Sequence, residues 1–158
     1  MEHYTVDEMT TSDRAHAIAI FHEGVSGGDP VLDVDNPDNW IDLENGQNLV
    51  ARLGDRIVGW AAICPIHDQE LPEGVSKVSV FVSRECRRKG IGRLLLNTAI
   101  GMSKEQGVGS LICGIVPGNV PAIMLHKACG FKALGMIREA GRIKNKQQDA
   151  VLLHRNIA

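Results

Sequence analysis

Val80-Phe-Val-Ser-Arg-Glu-Cys-Arg-Arg-Lys-Gly-Ile-Gly-Arg93 runs from a strand, through a short basic loop, into a helix. The strand begins at Val75: Val78, Val80 and Val82 fall on one face and Lys77, Ser79 and Phe81 on the other, the two-residue period of an extended chain. Past the loop, Ile91, Leu94, Leu95, Ala99 and Met102 recur at helical spacing to about Glu105, and Gly107 is placed to end the helix. Gly90 and Gly92 sit at the helix start, flanked by Arg88, Lys89 and Arg93. The first amides of a helix have no partner within it, and the helix dipole adds positive potential there. Glycine lets the backbone approach a ligand closely. Together these features make a site for a pyrophosphate. The loop is not a Walker motif, and it is not the dinucleotide fingerprint, because Leu95 stands where the third glycine belongs.

Outward from this segment, the chain divides into many short elements. His3–Val6 is expected as a first strand, followed by a helix capped at Ser12 or Asp13 with Ala15, Ile18, Ala19 and His22 on its apolar side. Residues 24–36 read as a loop, and Pro37 opens a short helix containing Trp40, Ile41 and Leu43. Leu49–Leu53 and Ile57–Ile63 are strands joined by a Gly54–Asp55 hairpin turn, and His67–Gly74 is a polar loop. Ser110–Val116 is a buried strand. A helix capped by Asn119, with Pro121 in its first turn, ends at Gly130. Phe131–Ile137 and Asp149–Ile157 close the chain as strands, with Gly141–Gln148 between them as a connection. This order gives an α/β fold on one mixed sheet rather than a regular βαβ repeat.

Composition narrows the classes. The 158 residues fit one domain, expected to span 1–158, and 44% apolar residues suffice for a core. A net charge of −2 gives no global attraction to nucleic acid or an anionic membrane. No apolar run approaches the roughly 20 residues that cross a bilayer. The first residues are polar and lack a secretory signal, so a cytoplasmic address is expected. Cys64, Cys86, Cys113 and Cys129 form no C-x-x-C pair, so no metal site is expected. Arg84, Arg87 and Lys104 read as solvated surface charge.

The Arg88-Lys-Gly-Ile-Gly-Arg93 loop after a strand resembles the signature of the GNAT superfamily of acyl-CoA N-acyltransferases. A second stretch, Asn119-Val-Pro-Ala-Ile-Met-Leu-His-Lys-Ala-Cys-Gly-Phe131, is similar to that family's Asn-x-x-Ala-x-x-Leu-Tyr-x-x-x-Gly-Phe. The resemblance implies a single mixed, largely antiparallel sheet flanked by helices, with acetyl-CoA as cosubstrate. It implies that the backbone of Val80, Phe81 and Val82 holds the pantetheine arm. Arg88, Lys89, Gly90, Ile91, Gly92 and Arg93 are implied to hold the pyrophosphate, and Asn119 and Ala128 to contact CoA. Trp40-Ile-Asp42, Leu125-His126, Gly141 and Asp149 are further similar to the phosphinothricin and methionine sulfoximine acetyltransferase group. Its members acetylate small amino-acid-like amines and are often homodimers.

Two positions depart from that group: Lys77 stands where a glutamate is common, and Gln147 where an aromatic residue is common. A lysine, with an ordinary pKa of about 10.4, is no ready base. Alternation puts Lys77 and Ser79 on one strand face, expected on the acceptor side, with Lys77 recognising an anionic group; an exposed strand-end lysine with no ligand role is the alternative. His126 replaces the family's tyrosine and is expected to protonate the departing thiolate; packing at the helix–sheet boundary is the alternative. His67, Asp68, Glu70 and Glu73 are loop candidates for the base. Cys86 matches no nucleophile position and has no adjacent histidine, which disfavours an acyl-enzyme. Three readings stay open: a small-amine acetyltransferase, a protein N-terminal or lysine acetyltransferase, and a non-catalytic acyl-CoA-binding protein.

Overall fold

The computed structural model describes residues 3–27, 41–66, 74–143 and 146–157. Its strands are β1 (Tyr4–Glu8), β2 (Gln47–Leu53), β3 (Arg56–Pro65), β4 (Val75–Val82), β5 (Ser110–Ile115), β6 (Lys132–Ile143) and β7 (Lys146–Asn156). Its helices are α1 (Arg14–Ser26), α2 (Ile91–Glu105) and α3 (Val120–Ala128). The strands form one seven-stranded sheet in the order β1-β2-β3-β4-β5-β7-β6. Every neighbouring pair is antiparallel except β4–β5. A parallel pair needs a crossover, and α2 supplies it. The β2–β3 turn is the expected two-residue hairpin: Leu53 pairs with Arg56, and Gly54 takes the left-handed φ of +61° that such a turn requires.

The sheet buries both faces against helices. Val58, Val78, Leu111 and Leu153 pack with Ile91, Leu95, Leu96 and Ala99 of α2, and Ile123 and Leu125 of α3 extend this layer. On the opposite face Val50, Trp60 and Ala62 pack with Ala17, Ile20 and Phe21 of α1, joined by Phe81. The alternation along β4 therefore holds: its valines enter the α2 layer and Phe81 the α1 layer.

Four local expectations change. Helix α1 buries Ala17, Ile20, Phe21 and Gly24, while Ala15, Ala19 and His22 are exposed and Ile18 is half-buried. Phe21, in edge-to-face contact with Phe81 at 5.4 Å, has the largest apolar surface to hide and sets the helix rotation. Along α2, Leu94 turns outward at 38% exposure, and Leu96 and Ile100 take its place in the core. Gly141–Gln148 is not merely a connection. The β6–β7 ladder reaches Ile143↔Lys146, and the polar composition of the stretch hid it. The expected helix from Pro37 lies outside the described residues up to Trp40; from Ile41 the chain is coil and then turn, with Asp42 Oδ1 accepting the amides of Glu44 and Asn45 at 3.0 and 2.9 Å.

Candidate active site

Strands β4 and β5 pair from Val75↔Ser110 to Lys77↔Ile112 and then diverge. On its other edge β4 is held by β3: Ile66 N–H donates to Val75 O at 2.9 Å and Ser83 N–H to Val58 O at 2.8 Å. Along an antiparallel strand, backbone polar groups point alternately to the two edges. Those of Val80 and Val82 therefore point into the gap that β5 leaves. Arg87 Nε donates to Val82 O at 3.3 Å.

Two helix starts face this gap. Gly90 precedes α2 with a left-handed φ of +82°, and the first intrahelical bond runs from Leu94 N–H to Gly90 O at 3.0 Å. The amides of Ile91, Gly92 and Arg93 come before that bond and have no helical partner. Arg88 is also left-handed, at φ +62°, a conformation that costs a non-glycine residue about 1–2 kcal/mol. Across the gap, Asn119 Oδ1 accepts the Ala122 amide at 3.4 Å and caps α3. The result is a cleft of about 610 Å³ walled by Val80–Val82, by Arg87, Arg88 and Gly90–Arg93, and by Asn119, Pro121, Ala122 and Leu125. Gly92 serves helix packing as well as access: a Cβ there would stand 3.1 Å from Leu125 Cδ2.

Most of the expected cofactor residues thus meet in one cleft, drawn from both motifs. Lys89 and Ala128 are exposed and are not among its walls. Arg87, read from sequence as surface charge, joins the walls because its guanidinium folds back over the end of β4. Pro121, Ala122 and Leu125 were missed; their positions on the first turns of α3 carry the signal. His126 lies elsewhere. It is 5% exposed, packs edge-on against Phe131 at 5.2 Å, and is not among the cleft walls. Its Nδ1 lies 2.7 Å from Ala122 O, so Nδ1 carries the proton; Nε2 is buried without a hydrogen-bond partner. Burial lowers its pKa, and the bond to Ala122 opposes this only in part. A neutral ring with its lone pair sealed inside is poorly placed to protonate a thiolate.

On the α1 side of the sheet, registers place Cys64, Lys77, Ile112 and His154 in one row across β3, β4, β5 and β7. Ser79 lies one step along β4, opposite Ala62, and Phe81 two steps along, stacked on Trp60 at 4.8 Å. Burial raises the pKa of the Cys64 thiol, helped by Asp42 and opposed by Lys77. The buried Cys113 thiol is pushed up to about 12. Neither is a ready nucleophile. His67, Asp68, Glu70 and Glu73 lie outside the described residues. Among the described residues no group of three or more His, Cys, Asp or Glu side chains is arranged to hold a metal.

Residues 14–131 match the model of the acetyltransferase (GNAT) family, and the chain belongs to that family. It is an acetyl-CoA-dependent N-acetyltransferase. It is 25% identical over 162 residues to the L-methionine sulfoximine/L-methionine sulfone acetyltransferase of Pseudomonas aeruginosa, covering 97% of this chain and 94% of the relative. It is 32% identical over 110 residues to the phosphinothricin N-acetyltransferase of Streptomyces viridochromogenes, covering 66% of this chain and 60% of that one. Among solved structures, a ribosomal-protein-alanine N-acetyltransferase from Brucella melitensis superposes with a TM-score of 0.82 at 28% identity, covering 96% of this chain and 99% of the other.

Proposed function

We propose that this enzyme transfers the acetyl group of acetyl-CoA to the primary amine of a small amino-acid-like acceptor that carries an anionic group. The observation that carries this reading is the divergence of β4 and β5 immediately beyond Lys77, beside the cleft walled by Val80–Val82. The cleft has the chemistry of the cosubstrate. Three helix-start amides and Arg87, Arg88 and Arg93 suit a pyrophosphate. Val80, Val82 and Leu125 offer apolar walls, and the edge of β4 offers backbone partners, for the pantetheine arm.

In this reading the thioester carbonyl lies at the divergence, where a β4 amide polarises it. The neutral amine attacks directly, and the enzyme's main task is alignment of nitrogen and carbonyl. Lys77 attracts the acceptor's anionic group and repels a bare ammonium. The name of the Pseudomonas relative, which covers nearly the whole chain, supports a small amino-acid-like acceptor. The similarity to a ribosomal-protein-alanine N-acetyltransferase supports a second reading, transfer to a protein amino terminus. Thiol release from acetyl-CoA separates the two. L-Methionine sulfone and L-phosphinothricin are expected to turn over faster than a peptide beginning with alanine; transfer to the peptide alone selects the second reading.

A further inference from the structure

The proposed reaction needs a group to take a proton from the acceptor's ammonium, and Lys77, which stands where the resemblance implies a glutamate, is no ready base. We propose that His154, on β7, is that proton acceptor. The inference rests on the amine-transfer reading above and adds a catalytic residue to it.

Leu111, Cys113 and Leu153 belong to the α2 layer, so the residues that alternate with them on β5 and β7 face the opposite side. Ile112 pairs with His154 and also with Lys77, which puts His154 on the acceptor face in Lys77's own row. One strand lies between the two. With strands about 4.8 Å apart, their Cα atoms are about 10 Å apart, a gap that an α-amino acid held between a lysine and a histidine side chain can bridge. The row stands at the last β4–β5 pair before the strands diverge. Past it, β5 continues on this face with Gly114, which has no side chain to block the approach to the gap. The His154 side chain is half-buried, and no hydrogen bond or ion pair ties its ring among the described residues. This sets it apart from His126, whose ring is bonded and sealed. Among the described residues, the row and strand neighbours of His154 on its face are Ile112 on β5, Lys132 directly opposite on β6, Lys77 beyond Ile112, and Leu152 and Asn156 along β7. None of these is an acid. The charged side chains in this row, Lys77 and Lys132, are both cations, which favour an anionic substituent on the acceptor.

The step balances. His154 takes one proton from the ammonium, and the freed nitrogen attacks the thioester carbon. The C–N bond forms and the C–S bond breaks. The thiolate leaves with the second nitrogen proton as CoA thiol, and the imidazolium returns its proton to water.

The test compares wild type, His154→Ala and His154→Gln on the ammonium acceptor that wild type uses best, starting with L-methionine sulfone. Both variants are expected to lose about 10²–10⁴-fold in kcat with acetyl-CoA affinity by calorimetry unchanged. Added imidazole is expected to restore a part of kcat in His154→Ala and none in His154→Gln, which a packing role cannot mimic. Undiminished kcat, or loss without imidazole rescue, overturns His154 alone and leaves the transferase reading standing. No transfer by wild type to any amine overturns both.

Discussion

Arg87 and Lys89 stand two positions apart in one basic loop, and only the first reaches the cleft. A charge-assisted phosphate contact is worth about 1.5–3 kcal/mol, and each 1.4 kcal/mol is about tenfold in affinity. Arg87→Ala and Arg93→Ala are each expected to weaken acetyl-CoA binding by about tenfold or more. Lys89→Ala is expected to change it by less than about threefold; isothermal titration checks all three. His126 makes a prediction of another kind. Burial depresses its folded pKa, so protons bind the unfolded chain first. The resulting stability is full above the unfolded value of about 6.5 and declines as pH falls through the folded value. Urea midpoints of wild type are expected to drop between pH 7 and pH 5 more than those of His126→Phe, with acetyl transfer persisting in the variant at neutral pH. Equal drops would remove the buried imidazole from the account. At this scale the sequence showed which residues bear charge and which glycines begin a helix. It did not show where a side chain turns: Arg87 folds inward because Val82 O is within reach, and His126 because Ala122 O lies one turn back.

Helix α1 shows how an element's rotation is decided by its bulkiest apolar residue. The Ala-Ile spacing fits more than one stripe, and burial of Phe21 between the α1 and β4 layers selects one of them. Phe21→Ala is expected to cost about 3–5 kcal/mol, and the half-buried Ile18→Ala distinctly less, in chemical denaturation. Comparable losses would mean that the helix presents the other stripe. Strand β4 and the α2 start were legible because alternation, glycine spacing and helical periodicity all agree there. The β6–β7 extension was not, since a polar two-stranded ribbon lacks the half-buried pattern by which strands are read. The role proposed for His154 was not legible for a related reason. Its face is defined only through pairing with Ile112, and register between distant strands is absent from local sequence.

For the whole molecule, the sheet ends at β6, where Leu134, Met136 and Ile137 are 62%, 55% and 48% exposed. The homodimer expected from the group's resemblance would cover this edge. Sedimentation is expected to give a dimer mass, and Leu134→Lys with Met136→Lys to give a monomer; a monomeric wild type contradicts this. The proposed function involves the whole sheet, because it puts acetyl-CoA in the cleft beside β4 and the acceptor beside Lys77, next to one divergence between two strands. The most direct test of that arrangement is acetyl transfer to L-methionine sulfone and to an amine of similar size that lacks an anionic group, in wild type and Lys77→Glu. The account predicts that Lys77→Glu raises KM for the anionic acceptor by about tenfold or more, does not raise it for the amine without an anionic group, and preserves acetyl-CoA affinity. Equal behaviour toward both amines, or no transfer by wild type to either, would contradict it.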